Sequence, residues 1–93
     1  MALHVKGTLE FKGWNKPILN VDTKEEGKVD IMPELKKLVD FVYDKSPLPR
    51  ASADRAVGGF EKSIEKFAGK HVEIEIRDDG YFSIQEVPEL QAA

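Results

Sequence analysis

Between Leu3 and Phe11 apolar residues take the odd positions, Leu3, Val5, Leu9 and Phe11, while His4, Lys6, Thr8, Glu10 and Lys12 take the even ones. That two-residue period is the signature of a half-buried strand. Gly7 falls on the inward side, where a missing side chain marks a bulge or a place of close helix packing. Lys12-Gly13-Trp14-Asn15-Lys16 reads as a turn, and Pro17 opens a second apolar run through Ile18, Leu19 and Val21. Setting Leu9 opposite Leu19 and Gly7 opposite Val21 keeps the apolar residues of this first hairpin on one side. The stretch 22–28 is polar and contains Gly27, which predicts a connection.

The period then changes. Asp30 supplies a cap and Pro33 a first-turn proline for a helix whose stripe is Ile31, Leu35, Leu38 and Val42, with Lys36, Lys37, Asp40 and Asp44 opposite. Pro47 and Pro49 end it by removing backbone donors. Ser52 or Asp54 caps a second helix with the stripe Ala53, Val57, Phe60, Ile64, Phe67 and Ala68, closed by Gly69. Gly58 and Gly59 lie off that stripe, and their cost of about 1 kcal/mol each against alanine argues for a loose first turn or a start near Phe60.

A strict alternation returns from His71 to Arg77, with Val72, Ile74 and Ile76 inward. Asp78-Asp79-Gly80 is a turn that sets Ile76 opposite Phe82 and Ile74 opposite Ile84. Pro88 ends the last strand, and residues 89–93 read as a frayed tail. The pattern predicts an α+β fold in one domain spanning 1–93: two antiparallel β-hairpins flanking two amphipathic helices, ββααββ, with the helices packed on one face of the sheet.

Composition narrows the class. The 93 residues, 41% hydrophobic and 33% charged, suit one globular core. A domain this small buries only about 60% of its unfolded surface, which leaves room for stabilisation by self-association. There is no cysteine for a disulfide or thiolate metal site, and no apolar run approaches a membrane span, so a cytoplasmic protein without membrane contact is expected. The net charge of −3 is unevenly spread. Residues 1–70 carry 13 basic and 11 acidic groups, whereas 71–93 set Arg77 alone against Glu73, Glu75, Asp78, Asp79, Glu86 and Glu89.

No residues point to catalysis, a metal or a cofactor. His4 and His71 sit on outward strand positions without neighbouring ligands, the serines lack an activating context, and Gly58-Gly59 precedes Phe60 rather than a phosphate-loop lysine. The chain therefore reads as a non-enzymatic interaction protein. The acidic hairpin is the leading surface. Glu73, Glu75, Asp78 and Asp79 imitate a row of phosphates, with Trp14 as a second contact, which suits a basic protein such as a nucleic-acid-binding one and the role of a small regulator or inhibitor. The alternative is weak nucleic-acid binding through the Lys/Trp hairpin tip, Lys6, Lys12 and Lys16, joined by Arg55, Lys62 and Lys66. A third reading is a structural subunit, or a homo-oligomer, that docks on copies of itself or on a larger assembly.

Overall fold

A computed structural model of the chain describes residues 2–15 and 18–88. The elements are β1 (Leu3–Phe11), β2 (Leu19–Thr23), β3 (Gly27–Asp30), α1 (Met32–Asp44), α2 (Arg50–Lys66), β4 (His71–Ile76) and β5 (Phe82–Glu86). They form an α+β fold with one five-stranded antiparallel sheet, order β3-β2-β1-β4-β5, and two helices. The expected tail 89–93, together with Lys16 and Pro17, lies outside the described residues.

The period-2 pattern decides which side of the sheet is covered. Val5, Leu9, Leu19, Val21, Val72, Ile74 and Ile76 form a single buried cluster with Ile31, Leu35 and Leu38 at α1 and Ile64 of α2. Leu9, Ile64 and Ile74 are wholly inaccessible, and removing such side chains from water is the main stabilising contribution here.

Several local details depart from the sequence expectation. The polar stretch after Val21 is not a plain connection but the turn of a further hairpin, in which Thr23 Oγ1 accepts from the Glu26 N–H (2.9 Å) and donates to the Gly27 carbonyl (3.1 Å). β1 pairs with β2 as Leu9↔Val21 and Phe11↔Leu19, two residues away from the expected register. Gly7 is bare because β2, not a helix, comes close: an added Cβ would lie 2.8 Å from both the Asp22 carbonyl carbon and Val21 Cγ1.

The N-cap of α1 is Ile31 rather than the expected Asp30, and it makes no side-chain cap; the Asp30 carboxylate, one residue earlier, accepts from the Met32 N–H (3.0 Å). α2 begins earlier than expected, at Arg50 directly after Pro49, so neither Ser52 nor Asp54 caps it. It also runs unbroken through Gly58 and Gly59. Asp54 instead ties the helices together, accepting from the Tyr43 hydroxyl (2.6 Å) and from Arg50 Nε (3.4 Å). These bonds hold the Asp54 carboxyl below, and the Tyr43 hydroxyl above, its ordinary pKa, chiefly because each is the other's partner. The closing hairpin matches its expected register, Ile76↔Phe82 and Ile74↔Ile84, with Gly80 at φ 90° in the turn.

Candidate functional site

Alternation along β4 puts His71, Glu73 and Glu75 on the side opposite the buried Val72, Ile74 and Ile76. β1 lies alongside in antiparallel register, His4↔Glu75, Lys6↔Glu73 and Thr8↔His71, and so lays its own polar row next to theirs. The acidic residues consequently have neighbours. His4 Nε2 lies 2.5 Å from Glu73 Oε2, and Gln85 Nε2 donates to Glu73 Oε1 (3.4 Å). Arg77 Nε donates to Glu75 Oε2 (2.6 Å).

The bond with His4, more than any other influence, lowers the Glu73 pKa, with Gln85 and the Lys6 charge acting in the same direction against partial desolvation. Glu75 likewise raises the Arg77 pKa. Both carboxylates are therefore held in place, with side chains 22% and 24% exposed for Glu73 and Glu75. At the turn, Asp79 accepts from the Tyr81 N–H (3.1 Å), and the Arg77 guanidinium lies 4.4 Å from the Tyr81 ring centre. Asp78 and Asp79 are exposed.

The structure thus brings Glu73 and Glu75 onto one surface and places Asp78 and Asp79 at its end. Trp14 stands elsewhere. Its ring packs on Phe11 (centroids 4.7 Å apart), its indole N–H donates to Glu65 Oε2 (3.2 Å), and it is half-buried against the core. Leu3 pairs with Ile76 whereas Phe11 leads into the loop of Trp14, so the length of β1, roughly 25 Å at about 3.3 Å per residue, separates Trp14 from the acidic turn.

The basic residues are divided between two surfaces. Lys6 belongs to the exposed row of β1, next to Glu73. Arg55, Lys62 and Lys66 lie on α2, where Arg55 reaches Ser52 Oγ (3.4 Å) and the Lys66 ammonium sits 5.5 Å from the Phe67 ring centre. Lys12 is exposed in the loop after β1, and Lys16 lies outside the described residues.

Two surface hollows adjoin the acidic row. An open one of about 680 Å³ runs over the polar side of β1 and is bordered by His4, Lys6, His71, Asp22, Glu25 and Glu26. A smaller one, about 350 Å³, lies between α1 and the β4–β5 turn, with Glu34, Asp40, Asp44, Arg77 and Asp78 on its rim. Sequence reading missed Glu25 and Glu26 because they sat in a presumed connection; the Thr23 to Gly27 spacing was the available signal that they crown a tight turn. The two histidines do not converge: His4 meets Glu73, while His71 Nδ1 lies 3.1 Å from the Val87 carbonyl. Every ionisable side chain among the described residues is at least partly exposed. Compared with known proteins, the chain matches no family model, no curated protein and no solved structure.

Proposed function

We propose that this chain is a non-catalytic protein-interaction module, a small cytoplasmic regulator or inhibitor that binds a basic partner, such as a nucleic-acid-binding protein, through the β4–β5 hairpin. In this reading both helices cover one face of the sheet and leave the other for recognition. The observation that carries it is the row of Glu73 and Glu75 on one side of β4, with Asp78 and Asp79 exposed at the turn beyond it. Alternate residues of a strand lie about 6.6 Å apart on one side, near the separation of successive phosphates along a nucleic-acid strand. A basic groove that accepts phosphates meets the same charge at a similar spacing, and the attraction speeds encounter.

Trp14 serves as a second contact only for a partner long enough to follow β1. The bonds that His4, Gln85 and Arg77 make to the two glutamates keep those side chains extended before binding, so little rotamer freedom remains to be lost.

The test is capture from nuclease-treated extract with the chain and with its Glu73→Lys, Glu75→Lys, Asp78→Lys, Asp79→Lys variant, both shown to be folded by circular dichroism. Basic proteins retained by the first and lost by the second are the expected result. Equal retention by both sinks the reading. Retention that disappears with nuclease treatment would transfer the function to Lys6, Lys12, Arg55, Lys62 and Lys66 and to nucleic acid.

A further inference from the structure

β5 is an outer strand of the sheet, hydrogen-bonded to β4 alone. The phase of its hairpin determines which backbone groups remain. Arg77 N–H donates to the Tyr81 carbonyl (2.9 Å) and Val87 N–H to the His71 carbonyl (3.0 Å). Antiparallel ladders alternate bonded and non-bonded pairs, so Ser83 and Gln85 turn their backbone groups toward β4. Phe82, Ile84 and Glu86 turn theirs outward, where no strand among the described residues receives them.

Natural sheets guard such an edge with lysine, proline, a bulge or very short length. The sequence Phe82-Ser83-Ile84-Gln85-Glu86 carries a single charge, Glu86 at its end, with no lysine or proline, and its side chains at 82–84 are only half-buried. The opposite edge is different: β3 is shorter, with charged Lys28 and Asp30 at alternate positions and only Val29 apolar.

α2 leaves room beside β5. Phe60 packs on Phe82 with ring centres 5.0 Å apart, and Asp54, on one flank of Phe60, reaches Tyr43 of α1. At about 100° per residue the other flank, away from Tyr43, carries Ala56, Gly59 and Ser63. Short side chains there do not obstruct a chain laid against β5.

We propose that β5 joins two copies of this chain edge to edge, antiparallel, merging two five-stranded sheets into one of ten. The strand itself selects a second copy as the occupant. A two-fold axis through Ile84 puts Ile84 opposite Ile84, and Phe82 opposite Glu86, so every outward-facing donor and acceptor of one copy meets its complement on the other. A shift by one residue would set outward groups against inward ones. On the polar side Ser83 falls opposite Gln85, and nowhere along the strand do like charges face each other. Closed two-fold pairing is also the commonest way for identical chains to associate.

The test is the mass of the full chain by sedimentation equilibrium over about 1 µM to about 1 mM, a window suited to a small, weak interface. The expected result is a rise toward twice the monomer mass. Ile84→Pro removes an outward N–H that the β4 ladder does not use, a place where an edge strand accepts proline. Ser83→Lys combined with Gln85→Lys sets lysines against each other across the axis while leaving the core side untouched. Each is expected to weaken association at least tenfold with an unchanged circular dichroism spectrum. If Ile84→Pro fails to fold, the double lysine variant decides. A monomer throughout the range, or a dimer that the lysine variant retains at full strength, overturns the proposal, the first outcome leaving the edge to a strand of some other protein. The self-association readout is separate from the acidic-row capture assay, and Ile84→Pro leaves Glu73, Glu75, Asp78, Asp79 and the Gln85 partner of Glu73 in place.

Discussion

Alanine substitution at two glycines, Gly7 and Gly58, is expected to move stability in opposite directions, and for reasons that lie in different parts of the fold. At Gly7 an added methyl would collide with the Asp22 carbonyl oxygen and lie 2.8 Å from its carbon and from Val21 Cγ1. Two of those atoms are backbone of the strand paired with β1, so relief requires moving β2 itself and disturbing the Thr8↔Asp22 and Leu9↔Val21 pairs. Overpacking of this kind costs about 1–3 kcal/mol, and the rigidity of the obstructing atoms puts Gly7→Ala at the upper end. At Gly58, within the continuous α2, a methyl would meet nothing within 4 Å. Only the helix preference remains, a gain of about 1 kcal/mol for Gly58→Ala. A change of 1 kcal/mol shifts the melting temperature of a domain this size by roughly 4–8 °C. Urea unfolding of the three proteins at one low concentration, followed by Trp14 emission and by circular dichroism, separates the effects. A Gly7→Ala variant within about 0.5 kcal/mol of the parent would refute the close approach of β2, since ordinary surface changes stay inside that range. A destabilised Gly58→Ala would refute an unbroken α2.

Ile64 is wholly buried, so Ile64→Ala should lose about 2–5 kcal/mol in the same denaturant assay, and a loss under about 1 kcal/mol would show that α2 does not seal the core. Gly80→Ala combines a backbone at φ 90° with a methyl 2.7 Å from the Phe41 ring, and a loss of about 1–2 kcal/mol from the left-handed conformation alone is expected, with a melting temperature unchanged from the parent as the contrary result. Because the Glu73 pKa is lowered below its ordinary value of 4.5 in the folded chain, its contribution is fully present above that value and fades as the pH falls through the lowered one. Thermal melts at about pH 7 and about pH 3 should therefore show a smaller pH penalty for Glu73→Gln than for the parent, and parallel losses in the two would contradict the role of the His4 bond.

The second hairpin was legible residue by residue because Asp78-Asp79-Gly80 fixes a turn and the strict alternation of β4 fixes the sides. In the first hairpin the sequence after Phe11 carries no turn signal that specifies a register, and a slip of two residues, from Leu9↔Leu19 to Leu9↔Val21, keeps every side chain on its own face. Hydrophobic pattern distinguishes odd shifts only. β3 was hidden for a related reason: with Val29 as its one apolar residue it has no buried row to reveal it, and β2 supplies its hydrogen bonds. Gly58 and Gly59 suggested a break that tertiary packing overrides, since Ala53 and Ile64 on either side are both buried. The acidic row itself was visible in the period of β4. Its neighbours were not, because His4 and Glu73 stand 69 residues apart in sequence and meet only through the pairing of β1 with β4.

Those neighbours change what the acidic hairpin offers. Counted along the sequence, the C-terminal part is strongly acidic; in the fold, His4 and Lys6 of β1 and Arg77, just beyond β4, stand among its carboxylates. On the proposed reading a partner displaces these contacts rather than meeting bare charge, and since the groups are partly in water the exchange of one cation for another costs little net free energy. Discrimination then rests on spacing: a partner whose cations match Glu73 and Glu75 replaces both sets of bonds, whereas an unmatched one loses a bond for each it makes. Pairing through β5 would extend this arrangement. Two β4 rows would be separated by two β5 strands, about 14 Å at roughly 4.8 Å per strand, which exceeds the screening length of about 8 Å at physiological salt. The two rows would then repel each other weakly while presenting matched acidic surfaces to one basic partner, so association of the chain would add binding strength through multivalency without opposing it electrostatically.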